Sequence, residues 1–330
     1  MKKSLKLKRT LKLTFILSIV FLIVALAIFP EKYSKSTYRG VLLWATSVMP
    51  SLLPYFFLTA ILTKTNSLSK ITYRFTPVTK KLFRLNGISL YAFFMSVLSG
   101  YPVGSKITAD LYEKKLINDG EAKRLSLLCS TSGPLFIIGA VGVNMFFNKQ
   151  VGFILYVAHV LSAILTALIF RNKFEPPSAS NYFLLYEKSD NALYECVYSS
   201  VVSVLVVGGF VSVFYVISEI LSDFYILHPL IKLFSVILTP FSPLGEESTA
   251  LTVGLIEFTK GAKALSLIGT TSLTVSLSSF IITFGGISAI LQSLAFLKSA
   301  RVSARFFIFG KLIQAVISFI LCYLTCLVVL

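Results

Sequence analysis

Residues 88–106 read ISLYAFFMSVLSGYPVGSK, an apolar run that stops in a turn of glycine, proline and serine. A second short run, Thr249–Ile256, leads into the polar string Glu257-Phe258-Thr259-Lys260-Gly261. Both runs are shorter than the roughly 20 apolar residues that a transmembrane helix needs. Irregular backbone at membrane depth persists only where protein or water satisfies its amide groups. The two runs therefore predict re-entrant hairpins, which enter a bilayer and return to the same side.

The composition excludes a soluble domain. Hydrophobic residues make up 55% of the 330 residues and charged residues 14%, and the mean hydropathy is +0.82, whereas charged residues form about a quarter of a typical soluble chain. Disorder is excluded as well, because the chain contains 29 Phe and 15 Tyr. The net charge of +17 accompanies no nucleic-acid recognition motif, so the predicted partner is the lipid bilayer and not nucleic acid.

The longer apolar spans predict an all-α polytopic membrane protein. An anchor helix is expected over Leu11–Phe29, and the following spans cover about 40–62, 125–147, 151–170, 197–221, 266–297 and 312–330. The span 266–297 is too long for one straight crossing and is interrupted at Gly285-Gly286. With both hairpins re-entrant, loops 1–12, 64–84, 106–124, 171–195 and 298–311 share one side and hold most of the 31 Lys and Arg residues. The positive-inside rule places these loops and the N-terminus in the cytoplasm.

The chain contains an apparent internal repeat. After a basic N-terminus and anchor (1–39), two blocks, 40–171 and 197–330, flank a predicted cytoplasmic linker, 172–196. Each block has a long span, a short amphipathic stretch with a Thr-Pro pair (Thr76-Pro77, Thr239-Pro240), a hairpin, an interrupted span and a final span. The first spans of the two blocks run in opposite directions, which predicts inverted-topology repeats. This plan is typical of secondary transporters, whose substrate site lies near the bilayer midplane.

Four interruptions are the candidate site. Broken helices expose free N–H groups at one end and free carbonyls at the other, and these groups bind anions and cations respectively. The candidate substrate-binding residues are Ser99, Gly100, Tyr101, Pro102, Gly104, Lys106, Ser130, Thr131, Ser132, Gly133, Glu257, Thr259, Lys260, Gly261, Gly285, Gly286 and Ser288.

Each candidate also has a structural interpretation. Lys106 and Lys260 either contact a substrate anion or extend to the membrane interface. Glu257 carries a coupling proton, coordinates a cation or pairs with Lys260. The hydroxyls can bond to their own helical turn, and the glycines can serve helix packing. His159 is expected to be structural, and no Cys or His cluster suggests a metal or other cofactor.

The interruptions resemble a known family. The string SGYPVGSKITAD (99–110), Glu121-Ala122, Ser132–Ile137, Gly139–Gly142, Gly254–Gly261 and Phe284–Ser288 resemble the sporulation membrane proteins of the nucleoside-recognition, or Gate, group, which is similar in plan to concentrative nucleoside transporters. The resemblance implies a multi-pass protein of the outer forespore membrane that carries dipicolinic acid from the mother-cell cytoplasm during endospore formation. By analogy with nucleoside transporters, a homo-oligomer is expected.

Two other functions stay open, and enzymatic activity is not expected. A nucleoside or nucleobase carrier fits the same plan, although cations at the turns favour an anion and the turns contain no Asn or Gln. A non-transporting scaffold for spore assembly is the third alternative. The chain contains neither a HExxH nor a GxSxG motif, nor a phosphate-binding loop with its lysine.

Overall fold

The computed structural model describes residues 2–64, 74–177, 191–241 and 245–330. These residues form helices and contain no strand. Four helical stretches, Lys149–Phe170, Ala192–Asp223, Ser272–Leu297 and Ala304–Val329, are long and apolar enough to cross a bilayer. Two sharply bent helix pairs, Lys12–Ile28 with Pro30–Val48 and Thr76–Phe83 with Ile88–Ser99, pass the same test when each pair is taken as one span. The prediction of an all-α polytopic membrane protein is confirmed.

The described residues of the first half form eight α-helices and two π-helical segments. They are α1 Lys2–Ile28, α2 Pro30–Leu43, π1 Trp44–Val48, α3 Met49–Lys64, α4 Thr76–Phe83, α5 Ile88–Ser99, α6 Val103–Glu113, α7 Asp119–Leu128, π2 Leu135–Met145 and α8 Lys149–Phe170. The chain bends by 105° between α1 and α2. Helices α2, π1 and α3 then follow one another without an intervening residue, so the first long helix of this half starts at Pro30.

The second half repeats this order of parts. Its helices are α9 Ala192–Asp223, α10 His228–Leu238, α11 Glu246–Ile256, α12 Phe258–Ile268, α13 Ser272–Phe284, α14 Gly286–Leu297 and α15 Ala304–Val329. Each half therefore runs through a long helix, a short helix, a hairpin, a broken helix and a final helix. The hairpins are α5–α6 and α11–α12, and the broken helices are α7–π2 and α13–α14.

Contacts between the halves come in matched pairs. The second arm of each hairpin packs on the second part of the other half's broken helix, so α6 contacts α14 and α12 contacts π2. The final helices α8 and α15 pack on each other, as do the long helices α3 and α9. The predicted block boundaries, residues 40 and 197, lie inside α2 and α9. No gap between helices marks them, so they stay predictions. Residues 178–190 of the predicted linker lie outside the described part of the chain.

Three expected boundaries are wrong. The span expected to begin at Ser266 begins at Ser272, because residues 266–268 complete the second hairpin arm, α12. The loop expected over 298–311 ends earlier, because Ser303 caps α15 by accepting the Phe306 N–H, and Lys311 lies within this helix. Gly261 does not form the second hairpin turn. It packs inside α12 against Gly254 of α11, where a β-carbon would lie 2.3 Å from the Gly254 Cα atom.

Candidate functional site

The four helix interruptions meet at one place in the fold. A β-carbon placed on Gly100, in the first hairpin turn, would lie 2.6 Å from the Gly133 nitrogen in the first helix break. A β-carbon on Gly286, in the second break, would lie 3.2 Å from the Phe258 nitrogen at the second hairpin turn. Tyr101 joins the two halves, because its ring lies beside Gly285.

A small central cavity of about 30 Å³ lies at this meeting point. Its walls come from α3, π1, π2, α9, both hairpin turns and the second broken helix. The lining residues are Val48, Leu52, Ser99, Gly100, Tyr101, Ser132, Gly133, Phe136, Val207, Val211, Phe258, Thr259, Ala289 and Gln292. One water needs about 10–15 Å³ by this measure, so the cavity has room for about two waters.

A buried lysine of the final helix anchors the first hairpin turn. Lys311 is 0% exposed, and its Nζ donates to the Tyr101 hydroxyl at 2.7 Å, the Ser130 carbonyl at 2.9 Å and Gln314 Oε1 at 3.1 Å. The Tyr101 hydroxyl lies 3.2 Å from both the Ser130 and Thr283 carbonyl oxygens, to which it donates. Lys311 thus holds its amino group behind Tyr101, one residue away from the central cavity.

Side chains satisfy the backbone that the first break exposes. The Cys129 carbonyl at the end of α7 accepts from the Ser96 hydroxyl, which also contacts the Thr131 hydroxyl at 2.7 Å. The N–H of Ser132 donates to His159 Nε2 at 2.8 Å. Because a buried amide group left without a partner costs free energy, these contacts explain how a broken helix persists at membrane depth.

His159 connects the two breaks. Its Nε2 accepts a backbone N–H, so the proton of the neutral ring belongs on Nδ1, which donates to Thr283 Oγ1 at 2.8 Å. The chain of hydroxyls continues from Thr283 to Ser318 at 2.9 Å. Both ring nitrogens are occupied, in agreement with the structural role predicted for this histidine.

The second hairpin turn carries a buried carboxylate. Glu257 is 0% exposed and caps α12, where its Oε1 accepts the Thr259 N–H at 2.9 Å. Within the described part of the chain, Glu257 Oε2 and the hydroxyls of Thr259 and Ser288 have no hydrogen-bond partner beyond one another. The Ser99 and Ser130 hydroxyls, at the first hairpin and break, are also buried without a hydrogen-bond partner among the described residues. Buried polar groups are normally paired, so this concentration indicates a site for a polar ligand.

Aromatic rings form one wall of the central cavity. Phe258 meets Phe136 edge to face at a centroid distance of 5.4 Å and meets Tyr101 at 6.3 Å. The Gln292 carboxamide lines the same cavity. The site therefore combines aromatic surface with hydroxyl and amide groups, which suits a flat polar solute.

A larger cavity of about 280 Å³, here called the vestibule, lies beside the central cavity. Its lining residues are Phe56, Thr59, Ala60, Val103, Lys106, Ile107, Asp110, Cys196, Ser199, Ser200 and Ser203. Helices α3 and α9 line both cavities one helical turn apart, with Leu52 and Phe56 on α3 and with Val207 and Ser203 on α9. The vestibule lies toward the helix ends that adjoin the loops predicted to be cytoplasmic.

The structure gathers most of the predicted residues and separates four of them. Ser99, Gly100, Tyr101, Ser132, Gly133 and Thr259 line the central cavity. Pro102, Ser130, Thr131, Glu257, Gly285, Gly286 and Ser288 belong to the turns and breaks around it. Gly104, Lys106, Lys260 and Gly261 do not line it.

Each of these four has another position. Lys106 is exposed and lines the vestibule, and Gly104 packs against the Cys129 carbonyl. Gly261 packs against Gly254. Lys260 pairs with Glu219 and donates to Ser218 Oγ at 2.8 Å, so the expected pairing with Glu257 is wrong.

Sequence reasoning missed Lys311, Phe136, Phe258 and Gln292. A lysine in the apolar helix α15 is itself a signal for an intramembrane functional group, but the sequence pattern placed the residue in a loop. Gln292 lies in the same helical part as Ser288, one turn further along. A polar side chain in an otherwise apolar segment was the sequence signal that could have identified Gln292 as a site residue.

A curated membrane protein is similar to this chain over most of its length. The sporulation integral membrane protein YlbJ of Bacillus subtilis (strain 168) is 28% identical over 319 residues, which cover 90% of this chain and 78% of that protein. This similarity confirms the resemblance to a sporulation membrane protein, whereas the relation to the Gate group stays a prediction. No family model matches the chain, and no solved structure matches it.

Proposed function

We propose that the chain is a membrane carrier of a small anion, dipicolinic acid, which it moves from the mother-cell cytoplasm across the outer forespore membrane during endospore formation. The YlbJ relative is by name a sporulation integral membrane protein, which supports the cellular setting. The proposal makes the chain a carrier and not an enzyme, with a cytoplasmic N-terminus and a homo-oligomeric state.

The observation that carries the proposal is the convergence of four helix N-termini on one small cavity. The N-termini of α6, π2, α12 and α14 all begin at the interruptions around the central cavity. Each offers N–H groups and a partial positive charge to an anion. Lys311 adds a further hydrogen-bond donor behind Tyr101. A solute with two carboxylates and an aromatic ring matches these donors and the aromatic wall.

The small size of the central cavity supports alternating access. A ring with two carboxylates is several times larger than a space for two waters, so the hairpin turns must separate from the breaks for the solute to enter. The adjoining vestibule supplies an approach from the side predicted to be cytoplasmic. Its Lys106 then attracts the anion to the entrance and does not hold it in the site.

Gln292 favours a second candidate, a nucleoside or nucleobase carrier. Carboxamides recognise base edges by paired donor and acceptor atoms, and this group lines the central cavity. The hairpin turns lack Asn and Gln, so a search for carboxamides in the turns alone does not find Gln292, which lies in α14. A site built chiefly from helix N-termini and a buried lysine still favours the anion.

The test is uptake of labelled dipicolinic acid and labelled uridine into vesicles that contain the purified protein. We expect saturable dipicolinate uptake that falls at least tenfold in Ser99→Ala and Ser132→Ala, whose side chains line the central cavity. Ser162→Ala is the matched control, because this buried hydroxyl bonds to the His159 carbonyl and does not line the cavity. Lys106→Ala should raise the half-saturating concentration without abolishing uptake.

Three results would refute the assignment. Uridine uptake without dipicolinate uptake would establish the nucleoside carrier. Equal loss in the Ser162 control would show that the cavity serines act through folding. Uptake of neither solute would favour the scaffold.

A further inference from the structure

The Glu257 carboxylate lacks a charged partner in the surroundings that the structure describes. Lys260 is the cation that acts on it electrostatically, but the Lys260 ammonium binds Glu219 and Ser218. The neighbouring Asp223 has its own cation, Lys32, at 2.7 Å. An ionised carboxylate that is fully buried without a counter-charge is costly. Glu257 is therefore left to be neutralised by something that the chain does not supply.

Oxygen atoms surround this carboxylate. The Ser288 and Thr259 hydroxyls adjoin this carboxylate and interact with it, and neither hydroxyl nor Oε2 has another partner among the described residues. The backbone carbonyls of Gly254 and Ile256 approach the neighbouring Gly286, since a β-carbon there would lie 3.0 Å from the Ile256 oxygen and 3.1 Å from the Gly254 oxygen. These carbonyls stand at the C-terminus of α11, the end of a helix that attracts cations.

The equivalent position in the first half shows what such a place accepts. There the Ser130 carbonyl, at the first break, and the Tyr101 hydroxyl, at the first hairpin turn, accept hydrogen bonds from the amino group of Lys311 at 2.9 and 2.7 Å. The second half supplies Glu257 at its hairpin turn and Ser288 beside its break. The first site thus holds an amino group tethered to α15, and no described side chain brings such a group to the second.

We propose that Glu257 Oε2, Ser288 Oγ and Thr259 Oγ1 form a binding site for a monovalent cation, Na⁺, between the second hairpin turn and the second helix break. One carboxylate balances one positive charge, and oxygen ligands beside interrupted helices suit Na⁺. Both hydroxyls would then be ligands of the ion, whereas a proton would bind Oε2 alone. Because Thr259 also lines the central cavity, the ion lies beside the proposed anion. That it is a coupling ion rests on the proposed function.

The test is ion-dependent thermal unfolding of the purified full chain in detergent. Choline chloride is replaced stepwise by NaCl, KCl or LiCl at constant ionic strength and pH. NaCl should raise the apparent Tm saturably, because a ligand that binds the folded state stabilises it by mass action. The rise should vanish in Glu257→Gln, which keeps the shape of the side chain. Glu219→Gln is the matched control, and it should keep the rise because Glu219 belongs to the ion pair with Lys260.

A second variant guards against misfolding of the first. Ser288→Ala leaves the charges unchanged and should shift the half-saturating Na⁺ concentration upward at least fivefold. Identical melting of the wild type in sodium and choline would overturn the proposal, as would an undiminished sodium effect in Glu257→Gln. Stabilisation by acid instead of sodium would assign a proton to Oε2. None of these measurements requires transport, so a failure of dipicolinate uptake would not change what they establish about the ion site.

Discussion

Gly100→Ala is expected to open the candidate site by separating the first hairpin turn from the first break. Gly100 has φ +80° and ψ −166°, a conformation that is essentially restricted to glycine, and placing a side chain there costs about 1–3 kcal/mol. The added β-carbon would lie 2.6 Å from the Gly133 nitrogen. This neighbour is backbone, so it cannot turn away as a flexible side chain would. Overpacking of this kind costs about 1–3 kcal/mol more.

The combined cost, about 2–6 kcal/mol, is large for one methyl group. We expect the apparent Tm in detergent to fall by several degrees and dipicolinate uptake to be lost. Gly209→Ala is the matched control. Gly209 lies within α9 with nothing within 4 Å of an added β-carbon, and alanine is favoured over glycine inside a helix by about 1 kcal/mol.

The two variants should therefore change stability in opposite directions. Thermal unfolding followed by circular dichroism, with size-exclusion chromatography of the heated samples, measures both. A Gly100→Ala protein as stable as the wild type would refute the close contact between the hairpin turn and the break. A Gly209→Ala protein that loses as much stability as Gly100→Ala would show that the chain tolerates no added methyl group, whatever its surroundings.

Three further substitutions test the packing around the site. Lys311→Met should leave stability within about 2 kcal/mol, because removing a buried polar group offsets the loss of its hydrogen bonds. Anion uptake should fall at least tenfold, and a large drop in Tm with normal uptake would contradict this. Lys260→Met should destabilise the protein more than the double variant Lys260→Met/Glu219→Gln, because the single change leaves the Glu219 carboxylate without its cation. A double-mutant cycle of thermal unfolding should give a coupling energy of about 0.5–3 kcal/mol. Additive effects of the two substitutions on stability would argue against the ion pair. Gly254→Ala should lower the apparent Tm, because the added β-carbon would lie 2.8 Å from Ile281 Cδ1 and overpacking of this kind lowers the free energy of unfolding by about 1–3 kcal/mol. An unchanged melting curve would show that α13 moves aside.

The membrane class, the hairpins and the breaks could be predicted because each depends on a short stretch of sequence. Hydropathy over about 20 residues identifies a span, and Gly-Pro or Gly-Gly pairs mark where a helix stops. The breaks near Ser130–Pro134 and at Gly285 lie where the sequence placed them. Boundaries were harder to place, as with residues 266–268, because an apolar run continues through a turn as readily as through a helix.

The membership of the site depended on the tertiary structure. Lys311 reaches Tyr101 from 210 positions away, and its role follows from the packing of α15 beside the first break. Lys106 and Lys260 were expected at the site because they adjoin the turns in sequence. Their side chains leave in other directions, to the vestibule and to Glu219.

Hydropathy and backbone freedom are local properties. The amino-acid sequence alone therefore predicts that this protein lies in a lipid bilayer and where its helices stop. The tertiary structure decided which side chains meet at the interruptions, because a helix carries side chains in every direction and packing against distant elements selects the buried face. Glu257 illustrates both. Its position at the end of an apolar run is evident from the sequence. Its lack of a charged partner follows from the fold, because Lys260 forms its ion pair with Glu219, which is distant along the chain.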